Sequence, residues 1–386
     1  PEPLAMVKPF QLAYPPLIRF GDGCRAELGA ILRQTLRGQP PRPFLVTTRR
    51  LADSAELERL RNACGGTFAG VATGIPHDPP LETIDRLTAE IRAANANAVI
   101  AAGGGSILDA AKAAAALAPL HRPVHPFFAG QEPIPGPGLP LLALPTTAGS
   151  GAELTHNAVL TDPQAGTKKS LRSPHLLAAA ALIDPELTWS APPGLTAWSG
   201  LDALTQAIES YISRNAHAAS RPHARAAVRH LCQALPAAVR NGADPAARNQ
   251  VAAGSLLSAM AFSQSGLGAV HGLAHPLGIA LGLPHGLTCA ILLPHILRLN
   301  LPACQSDLAE LAAELGLPPA ADAFLEAIDR LAAELAVPTT FAAHGLTPAH
   351  FPKILADCRS ASMNANPRPL TDADLADLLR RLARAA

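Results

Sequence analysis

The sequence predicts an α/β protein with a parallel sheet in its N-terminal half and an all-helical C-terminal half. Apolar runs of strand length alternate with helical patterns as far as Ile183, and glycines directly follow one of the predicted strands. Beyond Asp184 the strand-like runs stop, and segments with a 3.6-residue period take over. We therefore expect one domain over residues 1–188 and a second over residues 189–386, with turn residues at the boundary.

Each predicted element follows from a local pattern. Four apolar runs predict the strands, and they are Phe44 to Thr48, Ala98 to Ala102, Pro140 to Leu144 and Ala178 to Ile183. Helical periodicity in the first half predicts helices over Ala55 to Cys64 and Leu81 to Ala94. In the second half it predicts helices over Gly200 to Ser213, Ala224 to Ala234, Ala247 to Ser263, Gln305 to Leu315, Ala321 to Leu335 and Thr371 to Ala385.

The composition argues against several classes of function. The 386 residues include 31 Lys and Arg against 30 Asp and Glu, so the chain has no basic surplus for binding nucleic acid. No long uncharged apolar run predicts a membrane span, and the N-terminus lacks the pattern of a secretory signal, so we expect a cytoplasmic protein. The six cysteines form no C-x-x-C pair and are predicted to be packed, reduced thiols.

A run of three glycines, Gly103, Gly104 and Gly105, joins the second predicted strand to a helix that begins near Ser106 and carries Asp109. Glycines let backbone N–H groups approach a phosphate closely, and the helix N-terminus adds partial positive charge. The spacing is not G-x-G-x-x-G, and a turn that merely requires positive φ is the alternative. We expect a pyrophosphate here, which makes the N-terminal half a Rossmann-like dinucleotide-binding domain.

The loops after two other strands concern the same nucleotide. The loop from Pro145 to Gly151 carries hydroxyls and glycines that are expected to line it. At the end of the first strand, a carboxylate usually binds the ribose 2′-hydroxyl and repels a 2′-phosphate. This chain has Thr48 there, followed by Arg49 and Arg50, so the sequence predicts NADP(H) over NAD(H). The alternative is that the two arginines form a solvated helix start.

Histidines are concentrated in one stretch of the second half. Four of the 14 lie close together in the sequence, at His271, His275, His285 and His295. The first two are four residues apart and share a helical face, and Pro276 is predicted to end that helix. His285 is predicted to lie in a Pro-His-Gly turn.

A carboxylate and an amide accompany these histidines upstream. Asp202 and Gln206 share a face of another predicted helix. One carboxylate and two imidazoles suit Fe²⁺ or Zn²⁺, with coordination positions left for a substrate oxygen. The spacing of these residues therefore predicts that the C-terminal half is a metal-binding domain. The alternative is that the histidines have only a structural role.

Four ordered motifs, GGGSILDAAK, LPTTAGSGAELT, GLDALTQAIESY and HGLAHPLGIALGLPHG, resemble those of the iron-containing (group III) alcohol dehydrogenases. The resemblance runs from about Phe20 to Pro369. It implies a dinucleotide-binding α/β domain, a helical domain, a metal in the cleft between them and a homodimer. The implied reaction is metal-dependent and NAD(P)-linked, with hydride passing between nicotinamide C4 and a small alcohol or aldehyde.

The resemblance also implies roles for single residues. The family's aspartate ligand falls on Asp202, and its later histidine ligands fall on His271 and His285. His275 matches a position that helps to relay a proton near the substrate. The implied phosphate and nicotinamide contacts are Gly103, Gly104, Gly105, Ser106, Asp109, Thr146, Thr147, Val159 and Lys168. The family's usual acid after the first strand is Thr48 in this chain, which agrees with the NADP(H) prediction.

Gln206 departs from the family pattern, because the motif D-x-x-x-H becomes Asp202-x-x-x-Gln206. In one interpretation Asp202, His271 and His285 hold a divalent metal, as three protein ligands do in related glycerol dehydrogenases. Gln206 then completes the metal shell or leaves a place for water. In the other, tight metal binding is lost and the enzyme resembles the metal-independent maleylacetate reductases, which would make an anionic keto acid its substrate.

Two further functions share parts of this pattern. Lyases similar to dehydroquinate synthase also bind a dinucleotide and a metal, but they use Glu where this chain has Asp202. A non-enzymatic protein that binds a nucleotide to regulate a partner would require the metal ligands to be relics. The ordered dehydrogenase motifs favour the metal-dependent dehydrogenase over both.

Overall fold

A six-stranded parallel sheet organises the N-terminal half. The protein is described here by a computed structural model that covers residues 9–384. Its strands are β1 (Ile18–Phe20), β2 (Pro43–Thr47), β3 (Gly70–Ala72), β4 (Ala98–Gly103), β5 (Leu141–Pro145), β6 (Asn157–Asp162), β7 (Thr167–Arg172) and β8 (Ala180–Ile183). The sheet order is β1-β8-β5-β4-β2-β3, and every neighbouring pair is parallel. Strands β6 and β7 form a separate antiparallel hairpin.

Helices cover both faces of the sheet and build the whole second half. In chain order the first six are α1 (Leu28–Thr35), α2 (Arg49–Ala52), α3 (Ala55–Ala63), α4 (Leu81–Ala93), α5 (Gly105–Leu117) and α6 (His125–Ala129). The others are α7 (Pro193–Ile212), α8 (Ser220–Arg240), α9 (Pro245–Ser265), α10 (Ala269–Leu281), α11 (His285–Glu314), α12 (Ala321–Glu334), α13 (Phe351–Asp357), α14 (Ala361–Ala365) and α15 (Asp372–Leu382). Within residues 9–384 no strand follows β8.

The central strands are apolar on both faces because helices bury both faces. In β4, Val99 and Ala101 pack toward α4 and α5, whereas Ile100 and Ala102 pack toward α1 and α3. A strand buried on both sides needs a continuous apolar run, which is what the sequence shows. The helical half has its own core, in which α7, α8, α9, α10 and α11 contribute most of the buried side chains.

The predicted fold class is confirmed, and the four predicted strands match β2, β4, β5 and β8 to within two residues at each end. All six cysteines are free, as predicted. Three helix predictions missed a helix end by more than three residues. The segment Gly200 to Ser213 begins inside α7, and Ala224 to Ala234 covers only the middle of α8. The segment Gln305 to Leu315 is only the second part of α11, which contains Pro294 and Pro302 and has a non-helical residue at Cys304. Those prolines interrupt the sequence pattern without ending the helix.

Pro276 does not end its helix either, because α10 continues through it to Leu281. An internal proline removes a single N–H donor, and here Leu273, Ala274 and Leu277 around it are buried in the helical core. His285 is the first residue of α11 rather than part of a turn, with Pro284 as the N-cap. Pro284 therefore starts a helix at the position where the sequence predicted a turn.

Helix α11 is also the one described helix whose length and apolar composition meet the criterion for a membrane span. The most apolar part of this helix is 61% buried inside the protein. Buried core helices of other proteins are often as long and as apolar, so this is weak evidence for a membrane span.

The last strand of the sheet ends at Ile183 and α7 begins at Pro193. The domain division between residues 188 and 189 stays a prediction.

Candidate functional site

A cavity of about 1090 Å³ lies where the sheet meets the helical half. On the sheet side it is lined by residues that follow β2, β4 and β5, including Thr48, Gly104 and Thr146. The helical half contributes Asp202 and His271, among others. Open parallel sheets bind ligands outside the carboxyl ends of their strands, so this position agrees with the fold. The predicted phosphate-binding loop and the predicted metal ligands thus border one cavity.

The phosphate-binding end of this cavity is built by the start of α5. Gly104 is the N-cap of α5 and has no side chain to cap the first helical N–H groups, which leaves them available to an anion. Gly104, Gly105 and Ser106 line the cavity together with Thr146 and Thr147 from the loop after β5. These five predicted residues therefore lie side by side.

Gly103 differs from its neighbours, because it is not among the residues that line the cavity. It ends β4, and a Cβ atom at this position would lie 2.5 Å from the Cβ of Ile107. No real Cβ tolerates so short a contact, so the glycine lets α5 turn back closely onto the strand. The structure gives Gly103 a packing role.

Asp109 joins α5 to the β6–β7 hairpin. Its Oδ2 accepts a hydrogen bond of 2.9 Å from the backbone N–H of Val159, and its Oδ1 lies 2.8 Å from Nζ of the buried Lys112. Lys112 also donates to the carbonyl of Ala152 at 2.8 Å. Asp109 and Val159 both line the cavity, and their mutual bond fixes the hairpin over the phosphate end. Lys168 lines it too, with Nζ 2.6 Å from Asp78 Oδ1.

The residues after β2 occupy the edge of the cavity. Thr48 is the N-cap of α2, and its side chain accepts a hydrogen bond from the N–H of Leu51. Thr48 and Arg50 line the cavity, and Arg50 donates to the carbonyl of Ser190. Arg49 is not among the lining residues, and its guanidinium lies beside Gly74. Arg50 is therefore better placed than Arg49 to meet a nucleotide.

Three helices bring the predicted metal ligands together. Asp202 comes from α7, His271 from α10 and His285 from α11. Asp202 Oδ1 lies 3.3 Å from Nε2 of His271 and 3.7 Å from Nε2 of His285. Asp202 and His271 are almost fully buried, and all three residues line the cavity. Asp202 and His271, 69 residues apart in the chain, thus form one cluster of donor atoms with His285.

Gln206 stands next to this cluster, one helical turn after Asp202. Its Nε2 donates a hydrogen bond of 3.1 Å to Asp202 Oδ2, the oxygen that faces away from the two short histidine contacts. Its Oε1 is buried without any hydrogen-bond partner. A buried acceptor with no partner is costly, so Oε1 is expected to meet a ligand in the cavity that Gln206 lines.

Sequence reasoning missed Cys289, which was predicted to be a packed thiol like the other five cysteines. Its Sγ lies 3.6 Å from His285 Nε2 and 3.9 Å from His271 Nε2. Donor atoms of Cys289, Asp202, His271 and His285 all lie within 4.8 Å of one another. The signal that could have revealed it is the spacing from His285, because residues four apart share a helical face. His295, by contrast, bonds Thr339 O at 2.8 Å, away from the cluster.

Glu209 was also missed, and it orients His271. Its Oε2 lies 2.6 Å from His271 Nδ1, and its Oε1 accepts a 2.7 Å hydrogen bond from the N–H of Val270. Nδ1–H therefore donates to Glu209, so Nε2, which faces Asp202, is the nitrogen that can bind a metal once it has released its own proton. Burial opposes charge on His271, but its neighbours Cys289, Glu209 and Asp202 raise its pKa well above the ordinary value.

The other titratable groups of the cluster respond to burial and to one another. Burial opposes the charge of Asp202, yet His285 and His271 lower its pKa below the ordinary value. Burial lowers the pKa of His285 far below its usual range. Burial, followed by the charge of Lys168, lowers the pKa of His275 to about 3. His275 is therefore a neutral imidazole, stacked on His285 with ring centroids 4.9 Å apart.

A glycine allows α11 to reach the cluster. A Cβ atom on Gly286 would lie 2.2 Å from the carbonyl oxygen of Trp198 in α7. Only glycine lets the first turn of α11 approach α7 this closely. The contact sets His285 opposite Asp202, so backbone packing creates the geometry of the donors.

Two family models match the chain. The model described as iron-containing alcohol dehydrogenase matches residues 15–185. The model described as the C-terminal part of the Fe-containing alcohol dehydrogenase family matches residues 196–383. Together they cover both halves of the chain.

Individual relatives agree with these matches. The chain is 32% identical to long-chain-alcohol dehydrogenase 1 of Geobacillus thermodenitrificans over 378 residues, which is 95% of this chain and 94% of that protein. It is 31% identical to lactaldehyde reductase of Escherichia coli over 370 residues, covering 92% of this chain and 95% of the reductase. Among solved structures, sulfoacetaldehyde reductase from Bifidobacterium kashiwanohense in complex with NAD⁺ superposes with a TM-score of 0.90 at 30% identity, covering 98% of this chain and 100% of that one.

Proposed function

The chain belongs to the iron-containing alcohol dehydrogenase family and acts on alcohols or aldehydes, and we propose that it does so as a metal-dependent enzyme that prefers NADP(H). The reaction interconverts a small alcohol and its aldehyde in the cavity where the sheet meets the helical half. The observation that carries this proposal is that one cavity holds an uncapped helix N-terminus beside a cluster of buried metal-ligand donors. A cytoplasmic homodimer completes the proposal and rests on composition and on the resemblance alone.

The donors present in the cluster are suited to a divalent metal. Asp202 offers a carboxylate oxygen, while His271 and His285 each offer an Nε2 atom within 4 Å of that oxygen. Glu209 holds His271 in the tautomer that a metal ligand needs. Gln206 either adds its unpartnered Oε1 to the shell or leaves a place for water. Fe²⁺ is proposed from the family, and Zn²⁺ suits the same donors.

The nucleotide end of the cavity supports the choice of NADP(H). No carboxylate stands at the end of β2, where Thr48 occupies the position that meets the ribose. Arg50 and Arg59 line the cavity in this region, Arg59 in a pair with Glu56, and a guanidinium pairs readily with a 2′-phosphate. The NAD⁺ complex of the sulfoacetaldehyde reductase makes NAD(H) the cofactor to test against it.

The chemistry divides between the bound groups and the chain. When bound, the metal polarises the substrate oxygen and the nicotinamide carries the hydride at C4. Asp202, His271 and His285 place the oxygen-binding position at one end of the cavity, and the amides of the α5 N-terminus anchor the dinucleotide. His275 accepts the alcohol proton at one ring nitrogen when oxidation proceeds and returns a proton when the aldehyde is reduced.

The properties of His275 suit this relay. Its Nδ1 is buried without a hydrogen-bond partner, and the residue lines the cavity beside His285. A pKa of about 3 keeps the imidazole neutral at physiological pH, so one ring nitrogen is free to accept a hydrogen bond from the alcohol.

The test is metal content and turnover measured on the same protein. The chain is purified without oxygen and without a metal-binding tag, metals are counted by mass spectrometry, and a panel of small aldehydes is assayed with NADPH and NADH. We expect about one Fe or Zn per chain and aldehyde reduction that consumes NADPH in net amounts. Net consumption also excludes a lyase that recycles its cofactor.

Two variants make the test specific. Asp202→Asn should remove both the metal and the turnover, whereas Asp329→Asn makes the same chemical change at a surface pair with Arg298 and should alter neither. A metal-free wild-type protein that reduces an anionic keto acid would refute metal dependence in favour of a maleylacetate-reductase-like enzyme. Tight nucleotide binding without turnover of any carbonyl would refute the enzymatic proposal itself.

A further inference from the structure

We propose that the Cys289 thiolate is the fourth metal ligand and that the resulting set of one sulfur, two nitrogens and one oxygen takes Zn²⁺. The inference rests on the metal-dependent function proposed above and identifies a ligand and a metal for that same site. The family resemblance assigns no ligand to position 289, and it leads to an imidazole at position 206, where this chain has an amide.

The distances between donor atoms agree with a tetrahedral ion. Bonds of about 2.05 Å to nitrogen or oxygen and about 2.3 Å to sulfur separate two N or O donors by about 3.3 Å and sulfur from nitrogen by about 3.6 Å. Asp202 Oδ1 lies 3.3 Å and 3.7 Å from the two histidine Nε2 atoms. Cys289 Sγ lies 3.6 Å from His285 Nε2 and 3.9 Å from His271 Nε2. These four of the six edges fall within about 0.4 Å of the tetrahedral values, and the other two donor pairs lie within 4.8 Å.

Cys289 approaches the cluster from a side that does not border the cavity. It is completely buried and does not line the cavity, whereas Asp202, His271 and His285 all do. Its helix places it one turn after His285, on the same face of α11. With the sulfur on a side that does not border the cavity, a substrate oxygen arriving from the cavity would be a fifth ligand, which zinc accommodates by expanding its coordination.

Gln206 is then a positioning residue rather than a ligand. Its amide N–H group bonds Asp202 Oδ2, which leaves Oδ1 to face the two histidines and the metal. The bond also fixes the side chain of Asp202 in the direction of the cluster. The unpartnered Oε1 remains toward the cavity, where it can accept a hydrogen bond from substrate or water.

Charge and ligand type favour zinc in this set. On coordination the Cys289 thiol loses its proton to solvent, so Asp202 and Cys289 together supply two negative charges. Two negative charges and two neutral imidazoles cancel the charge of a divalent ion, which lowers the cost of its burial. Thiolate is a soft ligand, and tetrahedral sites with sulfur and nitrogen donors are typical of Zn²⁺.

The test is spectroscopy of the metal-loaded full-length chain. Co²⁺ is added to the apoprotein under anaerobic conditions as an optical probe, and the Zn²⁺ form is studied by X-ray absorption. We expect a thiolate-to-cobalt charge-transfer band in the near ultraviolet and one sulfur scatterer at about 2.3 Å from zinc. Cys289→Ala should lose the band and weaken Zn²⁺ binding by more than about 100-fold, since even supporting residues outside the shell cost 10–100-fold.

Cys358→Ala is the matched control, because Cys358 is equally buried but bonds only the carbonyl of Leu355. It should keep the charge-transfer band and the wild-type zinc affinity. The wild-type spectra decide the question even if Cys289→Ala fails to fold. Cobalt bound at one per chain with only nitrogen and oxygen ligands would overturn the role of Cys289 while leaving metal-dependent turnover intact. Absence of any metal binding would overturn both this inference and the metal-dependent function.

Discussion

Replacing Glu209 with Gln tests whether the surroundings of His271 prepare it as a ligand. Glu209 is 2% exposed and uses one oxygen for the N–H of Val270 and the other for His271 Nδ1–H. A glutamine has only one acceptor oxygen. If that oxygen keeps the Val270 bond, the amide N–H group faces Nδ1, and the histidine proton must move to Nε2. Nε2–H points at Asp202 and cannot bind a metal.

The expected loss of metal affinity follows from the two N–H groups that would otherwise face each other, one on the substituted glutamine and one on His271 Nδ1. Loss of a group that orients a metal-binding histidine costs about 10–100-fold in metal affinity, equivalent to about 1.4–2.7 kcal/mol. We expect Glu209→Gln to fall in this range or above it, because both bonds of Glu209 are short and fully buried. The substitution changes neither the volume of the side chain nor any residue that lines the cavity.

Competition between the protein and a colorimetric chelator measures the zinc affinity directly. Glu334→Gln is the control, because it makes the same change at an exposed pair with Arg240 and should keep the wild-type affinity. Unfolding of both variants in excess chelator separates a loss of metal affinity from a loss of apoprotein stability. A Glu209→Gln protein that binds zinc within twofold of wild type would refute the role assigned to Glu209.

Two further predictions concern the cofactor and a buried acid. Thr48→Asp should shift cofactor preference toward NADH, because it places a carboxylate near the ribose while keeping an N-cap for α2. Thr48→Asn is the uncharged control. Equal ratios of NADPH-linked to NADH-linked activity in the two variants would contradict the prediction. Burial raises the pKa of Glu153 from 4.5 to about 7, so folding stability should fall as pH rises through that interval, by about 3 kcal/mol in all. Glu153→Gln should lack this loss in urea unfolding at pH 5 and pH 7.5, and an equal loss in both proteins would exclude Glu153 as its source.

Local patterns were sufficient for most of the fold. The strands β2, β4, β5 and β8 were predictable because both of their faces are buried, which forces continuous apolar runs. Strands β1 and β3 are only three residues long, too short for any periodicity. The β6–β7 hairpin was missed because it carries Lys168, Lys169 and Arg172, of which the first and last border the cavity, so its composition is not that of a core strand.

The site was predictable only where chemistry and spacing coincide. Asp202, His271 and His285 belong to residue types that bind metals and occur in motifs of the family, so the sequence indicated them. Glu209 and Cys289 come next to the cluster through the packing of α7, α10 and α11, which brings atoms together from distant parts of the chain. A single sequence carries no record of that proximity, and a buried thiol is usually inert.

The cluster of donors joins α7, α10 and α11, so a metal bound there would cross-link these three helices in addition to their packing and the hydrogen bonds of Glu209. When the free metal concentration is a thousand times the dissociation constant, binding adds about 4 kcal/mol to the free energy of unfolding. The free energy of unfolding sets the fraction of molecules that are unfolded and open to proteases. Stabilisation by the metal would therefore raise the amount of the protein in the cell. Scarcity of the metal would therefore deplete the enzyme through faster turnover of the chain, in addition to leaving the remaining molecules inactive.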